Sequence, residues 1–95
     1  MSDYIFLMHN DGAKTRAEDW PAYFANLRAS DGFDGGSAIG KGACFRKSGA
    51  TPATSPISGY IRVQAASLDE AKKLLAGNPV YEAGGTVEIR ELPRE

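Results

Sequence analysis

Apolar and polar side chains alternate most clearly in residues 60–65. Every second position there is apolar, and these positions are Ile61, Val63 and Ala65. The positions between them hold Tyr60, Arg62 and Gln64. Because successive side chains of a strand point to opposite faces, a period of two is typical of a strand with one buried face. The pattern therefore predicts a strand over residues 60–65, with its aliphatic face on the core.

The period changes to that of a helix directly after this strand. Ser67 and Glu70 have the spacing of a capping box, in which each side chain binds the backbone N–H of the other residue. The apolar stripe of the predicted helix consists of Leu68, Ala71, Leu74 and Leu75. Gly77 suits the residue that follows a helix, and the proline at position 79 keeps the helix from resuming. Residues 80–85 are predicted to be a loop that ends in a glycine turn.

Three further stretches have the composition of strands. Residues 4–9 and 86–92 are rich in strand-forming side chains and are bordered by turn residues. Residues 37–47 are predicted to be a strand that is weakened or bulged by Gly40 and Gly42.

A first helix is predicted between the first two strands. Its apolar positions follow the i, i+3, i+4, i+7 spacing of one helix face, and they are Trp20, Tyr23, Phe24 and Leu27. Asp19 is favoured over Thr15 as its N-cap, because Pro21 then lies in the first turn, where its missing N–H has no cost. The Asp-Gly pair at 31–32 ends the helix. Residues 48–58 contain mostly Ser, Thr, Pro and Gly and are predicted to be a mobile loop.

The predicted order of elements is βαββαβ, which places the chain in the α+β class. Two β-α-β units packed together form a four-stranded antiparallel sheet with two helices on one face, the ferredoxin-like arrangement. A chain of 95 residues is long enough for one such domain, so residues 1–95 are expected to be a single domain.

The composition argues against several classes of function. The net charge of −1 provides no field that attracts nucleic acid, and the predicted strands lack the paired aromatics of an RNA-recognition motif. No apolar run approaches the roughly 20 residues that a membrane helix needs. Cys44 is the single cysteine, which rules out an internal disulfide, and Asp3 stands where a signal peptide would be basic. We therefore expect a soluble, cytoplasmic protein without a nucleic-acid or membrane partner.

The second face of the predicted sheet is polar, and one layer of two helices cannot cover both faces. Its side chains are Tyr60, Arg62, Gln64, Glu88 and Arg90. The aliphatic face, with Val87 and Ile89, should pack on the helices. The polar face is either solvated, as in a monomeric domain with the same elements, or buried against a second copy with its charges paired. We expect the homodimer.

The C-terminal half of the chain resembles the YCII-related (DGPF) family. The matching strings are Gly59-Tyr60-Ile61, residues 66–71, Gly77-Asn78-Pro79 and residues 84–90, with Gly35-Gly36 and Lys41-Gly42 in the middle of the pattern. The Asp-Gly-Pro-Phe signature itself is absent, and residues 51–56 stand in its place. The resemblance implies a dimeric α/β-barrel, in which two sheets face each other with a cleft on each helix-free side. The family's catalytic histidine and aspartate have no matching positions, and that pair is not transferred.

His9 is the candidate catalytic residue. It is the one histidine of the chain, and an imidazole is the side chain that ordinarily titrates near neutral pH. It follows a strand and precedes a polar turn, a common place for a general base, and Asp11 or Asp34 would orient it. The alternative is an ordinary hydrogen-bonded histidine. One histidine and one cysteine do not have metal-ligand spacing, so no metal and no cofactor are expected.

The candidate ligand-binding residues are Arg62, Arg90 and Arg46, with Tyr60 to orient the ligand. Guanidinium groups bind carboxylates and phosphates through two parallel hydrogen bonds, although the same residues also form ordinary ion pairs. Trp20 and Tyr23 could line the mouth of a pocket, but their helical spacing favours core packing. Cys44 is expected to be a small buried side chain.

These features predict a protein that binds a small polar or anionic metabolite in a cleft at the dimer interface, with cofactor-free acid/base catalysis as a possible activity. The alternative is a non-catalytic ligand-sensing or protein-interaction module. The residues do not decide whether the protein is an enzyme.

Overall fold

Four strands form one antiparallel sheet in the structure, a computed structural model that describes residues 1–94. The strands are β1 (Ser2–His9), β2 (Phe33–Ala38), β3 (Ile57–Ala65) and β4 (Val87–Leu92). Their spatial order is β2-β3-β1-β4, and each neighbouring pair is antiparallel. The first, third and fourth strands lie where the sequence predicted them, with ends that differ by a few residues.

The second strand lies several residues before its predicted position. Residues 37–47 were expected to be the strand, but β2 ends at Ala38, and residues 39–56 form a long connection without helix or strand. Gly40 and Gly42 have no side chains to pack against the sheet, which weakens strand structure there. The glycine irregularity lies earlier, because the β2–β3 register shifts between Phe33 and Gly36.

Three helices accompany the sheet, one more than predicted. They are α1 (Trp20–Ala29), α2 (Leu68–Lys73) and α3 (Pro79–Glu82), and a 3-10 turn at Ala17–Asp19 leads into α1. The prediction of a plain loop over residues 80–85 is wrong. The side-chain Oδ1 of Asn78 accepts a hydrogen bond from the N–H of Tyr81 at 3.1 Å, and Pro79 occupies the first helical position. The Asn-Pro pair therefore begins a helix of its own, and α2 has already ended at Lys73.

The caps of the two predicted helices agree with the sequence in part. Ser67 Oγ accepts a hydrogen bond from the N–H of Glu70 at 3.2 Å, as predicted. The Glu70 carboxylate binds Lys73 Nζ at 2.9 Å, so the reciprocal half of the capping box is not made. Asp19 is the residue before α1, but its carboxylate accepts hydrogen bonds from the backbone and guanidinium of Arg16. The 3-10 turn directs that carboxylate back along the chain.

The core lies between one face of the sheet and the helices. Its ten buried hydrophobic residues are Tyr4, Phe6, Met8, Tyr23, Leu27, Ile61, Val63, Ala65, Ala71 and Leu75. Val87 and Ile89 of β4 pack against this cluster, as the alternation predicted. Tyr23 is core, as predicted, and its hydroxyl donates a hydrogen bond to the Leu74 carbonyl at 2.8 Å. Leu68 is 54% exposed, since it begins α2 outside the stripe that faces the sheet.

Candidate functional site

The helix-free face of the sheet carries most of the predicted site residues. Strand register places Arg62 and Arg90 on either side of Ile5, and Tyr60 and Glu88 on either side of Leu7. Neighbouring strands are about 4.8 Å apart, so the two arginine backbones are separated by roughly 10 Å across β1. The sheet thus presents two guanidinium side chains on one surface, with an aliphatic side chain between them.

His9 lies at the end of β1 on the same surface and contacts the carboxylate of Glu88. His9 Nε2 is 3.2 Å from Glu88 Oε1, and Arg90 donates a hydrogen bond to Glu88 Oε2 at 3.1 Å. The His9 side chain is 22% exposed, so solvent reaches the imidazole. The Arg90 guanidinium, followed by the His9 hydrogen bond, holds the pKa of Glu88 below its ordinary value. Glu88 therefore remains a carboxylate that both neighbours share.

Glu88, rather than Asp11 or Asp34, is the carboxylate that orients His9. The expectation that one of those aspartates would do so is wrong. Asp11 accepts hydrogen bonds from Thr86 N at 2.8 Å and Thr86 Oγ1 at 2.7 Å. Asp34 lies 3.6 Å from Arg62 NH2. Glu88 is 79 residues from His9 in the chain, and only the pairing of β1 with β4 brings the two together.

The His9–Glu88 contact has a definite chemical consequence. When Nε2 carries the imidazole proton and donates it to Glu88, the lone pair at Nδ1 is free to accept a proton. A carboxylate behind an imidazole fixes the tautomer and stabilises the imidazolium that forms. The pair therefore has the geometry of an acid/base group.

Arg62 and Arg90 on the helix-free face have N–H donors that remain available for a ligand, whereas Arg46 lies outside that face. Each guanidinium has five N–H donors, and the contacts of Arg62 with Asp34 and of Arg90 with Glu88 use only part of them. Arg46 belongs to the 39–56 connection, where its NH1 donates a hydrogen bond to the Ala50 carbonyl at 2.9 Å. The structure brings His9, Tyr60, Arg62 and Arg90 to one surface, and Arg46 is not part of the sheet.

The middle of the helix-free face is apolar. Ile5, Leu7 and Leu92 are half-buried, although the helices pack on the opposite side of the sheet. A strip of aliphatic side chains between paired charges is typical of an interface core with a polar rim.

A second concave feature lies on the other side of the sheet, where the sequence had offered only Trp20 and Tyr23 as an alternative pocket mouth. A cavity of about 520 Å³ separates α1 from the edge formed by β2 and β3. Trp20 was expected to pack in the core, but it is only half-buried and lines this cavity together with Phe24 and Phe33. The available signal was the run of small residues at positions 35–38.

The expected burial of Cys44 is also wrong. Cys44 belongs to the 39–56 connection, where it is half-buried while its neighbours on both sides are exposed. Phe45 beside it is 89% exposed.

The lowered pKa of Asp11, which lies just after β1, predicts a loss of folding stability at acid pH. Two hydrogen bonds from Thr86, first from its N–H and then from its hydroxyl, lower the pKa of Asp11. A lowered folded-state pKa means that the stabilisation is complete above the ordinary carboxyl pKa of about 4 and is lost as pH falls through the folded-state value. We expect Asp11→Asn to flatten the dependence of the urea midpoint on pH between about pH 5 and about pH 2.

Glu91→Gln is the matched control for this measurement. Glu91 is exposed on β4 and forms no ion pair within the described part of the chain. Its replacement should leave the slope of midpoint against pH close to that of the wild type. An Asp11→Asn protein with an unchanged slope would show that the Thr86 hydrogen bonds do not stabilise the folded state.

Two findings limit the classes of site. Within residues 1–94, no group of three or more His, Cys, Asp and Glu side chains is close enough to hold a metal ion, and no helix is long and apolar enough to cross a membrane.

In the comparisons with known proteins, no family model matched the chain and no curated protein matched it.

Proposed function

We propose that this chain is a homodimeric, YCII-related-like protein that binds a small polar or anionic metabolite on its helix-free sheet face. The proposed arrangement is the ferredoxin-like one, with two such faces opposed in a dimeric α/β-barrel. The strand order β2-β3-β1-β4 supports this, because two packed β-α-β units produce that order with antiparallel neighbours. The family strings of the C-terminal half lie largely on β3, α2 and β4.

The observation that carries the proposal is the chain of contacts His9–Glu88–Arg90, with Arg62 on the same surface. Arg62 and Arg90 would hold an anionic group through charge-assisted hydrogen bonds. Tyr60 would donate a hydrogen bond that orients the ligand. If the ligand is a substrate, His9 would take a proton from it and return that proton without a cofactor, with Glu88 stabilising the imidazolium.

The pairing of charges within the chain favours a dimer through this face. Burial of an unpaired charge costs several kcal/mol. Arg62 has Asp34 as a partner, and Arg90 has Glu88, so a second copy can cover the face without isolating either charge. The same association removes Ile5 and Leu7 from water, which stabilises the dimer by about 25 cal/mol for each Å² of apolar surface.

The second candidate is a non-catalytic ligand-sensing or protein-interaction module. The observation in its favour is that Glu88 is bound by both His9 and Arg90, an arrangement that suits a fixed binding surface as well as a proton-transfer site. The two candidate functions predict different effects of His9→Ala on turnover.

One experiment with two readouts tests the proposal, and the first readout is the mass in solution. Light scattering on the size-exclusion peak should give about 20 kDa, twice the 10.1 kDa of the chain. Leu7→Glu places a charge in the apolar strip and should halve that mass. The control is Lys72→Glu on the exposed side of α2, which should remain a dimer. A wild-type monomer at micromolar concentration would refute the dimer and the enclosed cleft.

The second readout is anion binding, followed by NMR with phosphate and malonate as probes. Arg62→Gln and Arg90→Gln should each weaken binding by about tenfold or more, because each removes a charge-assisted hydrogen bond. Lys72→Gln should bind both anions as the wild type does. A loss of affinity in Arg46→Gln would show that the 39–56 connection contributes to anion binding. In a screen of small carboxylates and phosphates, His9→Ala should abolish turnover and spare binding. Unchanged behaviour of His9→Ala would favour the second candidate.

A further inference from the structure

The cavity between α1 and the β2–β3 edge has the size of a ligand site. Its volume of about 520 Å³ falls in the range of roughly 300–1,000 Å³ that small-molecule pockets occupy. Its aromatic wall lies on the helix side of the sheet, opposite Arg62 and Arg90. Tyr60 lines both the cavity and the proposed anion site, and His9 lines a neighbouring pocket that shares Thr15, Ser58 and Val80 with the cavity.

Small residues on the sheet create this space. The register pairs Gly36 with Ile61 and Ala38 with Gly59, so three of these four positions carry no side chain larger than a methyl group beneath α1. A Cβ on Gly36 would collide with the Tyr60 carbonyl, and one on Gly59 would lie 3.1 Å from the Ser37 carbonyl oxygen. Backbone packing thus requires glycine at position 36 and leaves little room for a side chain at position 59, so the floor of the cavity remains open.

Three aromatic rings form one wall of the cavity. Trp20 and Phe24 are stacked, with centroids 5.7 Å apart and planes at 25°, and Phe24 lies 5.5 Å from Phe33. Met8 and Ile61 from the sheet complete an apolar lining. Such a wall favours a flat, apolar ligand, because aromatic rings gain from offset stacking in addition to burial.

Arg28 supplies a cation at this otherwise uncharged cavity. It is the one charged side chain among the described residues that line the space. Its guanidinium lies 5.6 Å from the Phe33 ring centroid, and within residues 1–94 no carboxylate is within 4 Å of it. A guanidinium beside an apolar pocket is a suitable partner for an anionic group on a ligand.

We propose that this cavity binds a flat, apolar monoanion, such as an aromatic carboxylate or sulfonate. The ring system lies against Trp20 and Phe24, and the anionic group binds Arg28. This site binds its anion through Arg28 rather than through Arg62 or Arg90, so either proposal can fail without the other.

The test uses two fluorescent probes of similar shape and different charge. One is 8-anilinonaphthalene-1-sulfonate, an aromatic anion, and the other is the neutral N-phenyl-1-naphthylamine. Trp20 is the single tryptophan of the chain and lines this cavity, so energy transfer from it is most efficient for a probe bound here. Because transfer also reaches across a small domain, the Arg28 and Ala38 variants assign the probe to the cavity. The wild type should bind one anionic probe per chain with transfer from Trp20.

Arg28→Gln separates charge recognition from apolar binding. It should lower the affinity for the anionic probe by about tenfold, the loss expected for one charge-assisted contact. The affinity for the neutral probe should stay within about twofold of the wild-type value. Arg28→Lys should restore most of the affinity for the anion. Equal affinities of Arg28→Gln and wild type for the anionic probe would overturn the proposal.

Ala38→Leu tests the location. Ala38 is exposed at the sheet edge, so the larger side chain fills cavity space without burial in the core. Both probes should lose at least about tenfold in affinity, the effect of removing the apolar contact area. Lys72→Gln should bind both probes as the wild type does. Retained probe binding with transfer from Trp20 in Ala38→Leu would refute the site, and an unchanged near-UV circular dichroism spectrum checks that each variant is folded.

Discussion

Phe6→Ala should lower the free energy of unfolding by about 3–5 kcal/mol, the usual loss when a buried phenylalanine is truncated. Phe6 is 0% exposed and lies at the centre of β1, where the register pairs it with Ile61 on β3 and Ile89 on β4. Its ring lies between these two neighbours in the core. Neither neighbour can move into the space left by the truncated ring without breaking strand pairing. Urea denaturation followed by far-UV circular dichroism measures the loss.

The same substitution at an exposed position is the control. Phe45 is 89% exposed in the 39–56 connection, and Phe45→Ala should change the free energy of unfolding by about 0.5 kcal/mol or less. If Phe6→Ala leaves the chain too unstable to measure, Phe6→Leu keeps most of the apolar volume and should show a smaller loss. Equal effects of Phe6→Ala and Phe45→Ala would contradict the central position of β1.

Asn78→Ala should cost about 2–3 kcal/mol, since it removes a helix cap, leaves the N–H of Tyr81 without its partner and empties a fully buried position. Asn78 is 0% exposed, and its side chain accepts the hydrogen bond from Tyr81 N and donates to Met8 Sδ at 3.7 Å. Helix α3, which this cap begins, accepts a hydrogen bond from Gly85 N at the Val80 carbonyl. Loss of the cap should therefore also loosen the turn before β4.

Ser67→Ala is the matched control, because Ser67 caps α2 with the same geometry at an exposed position. Its loss should be about 1 kcal/mol, the usual value for a cap alone. The difference between the two variants in equilibrium unfolding isolates the contribution of burial at Asn78. Equal losses would mean that the buried amide contributes no more than an exposed cap.

The spacing of apolar residues along the chain correctly predicted β3 and α1, whose apolar faces pack on the core. The alternation in residues 60–65 correctly predicted β3 and its buried face, because each side chain of a paired strand reports the face that it occupies. The spacing of Trp20, Tyr23 and Leu27 correctly predicted α1 in the same way. Helix α3 was missed, since four residues are too few to show a period, and β2 was misplaced because glycine leaves no pattern to read.

The candidate sites depended on contacts that no local pattern contains. His9 was identified as chemically special from its residue type, and its carboxylate partner was sought among nearby aspartates. The actual partner, Glu88, and the Asp34 partner of Arg62 lie on neighbouring strands, so they are found only once the sheet has formed. The cavity beneath α1 likewise requires β2 and β3 to be paired before their small residues face the same space.

The sequence by itself determined which residues of β3 and β4 face the core, where α1 and α2 begin, and that a polar face would remain beside an apolar one. These properties depend on the spacing of side chains along the chain, which is the same before and after folding. Only the tertiary structure decided which charges meet and where a concave surface forms. The reason is that partners such as His9 and Glu88 are joined by the order and register of the whole sheet, over a separation of 79 residues.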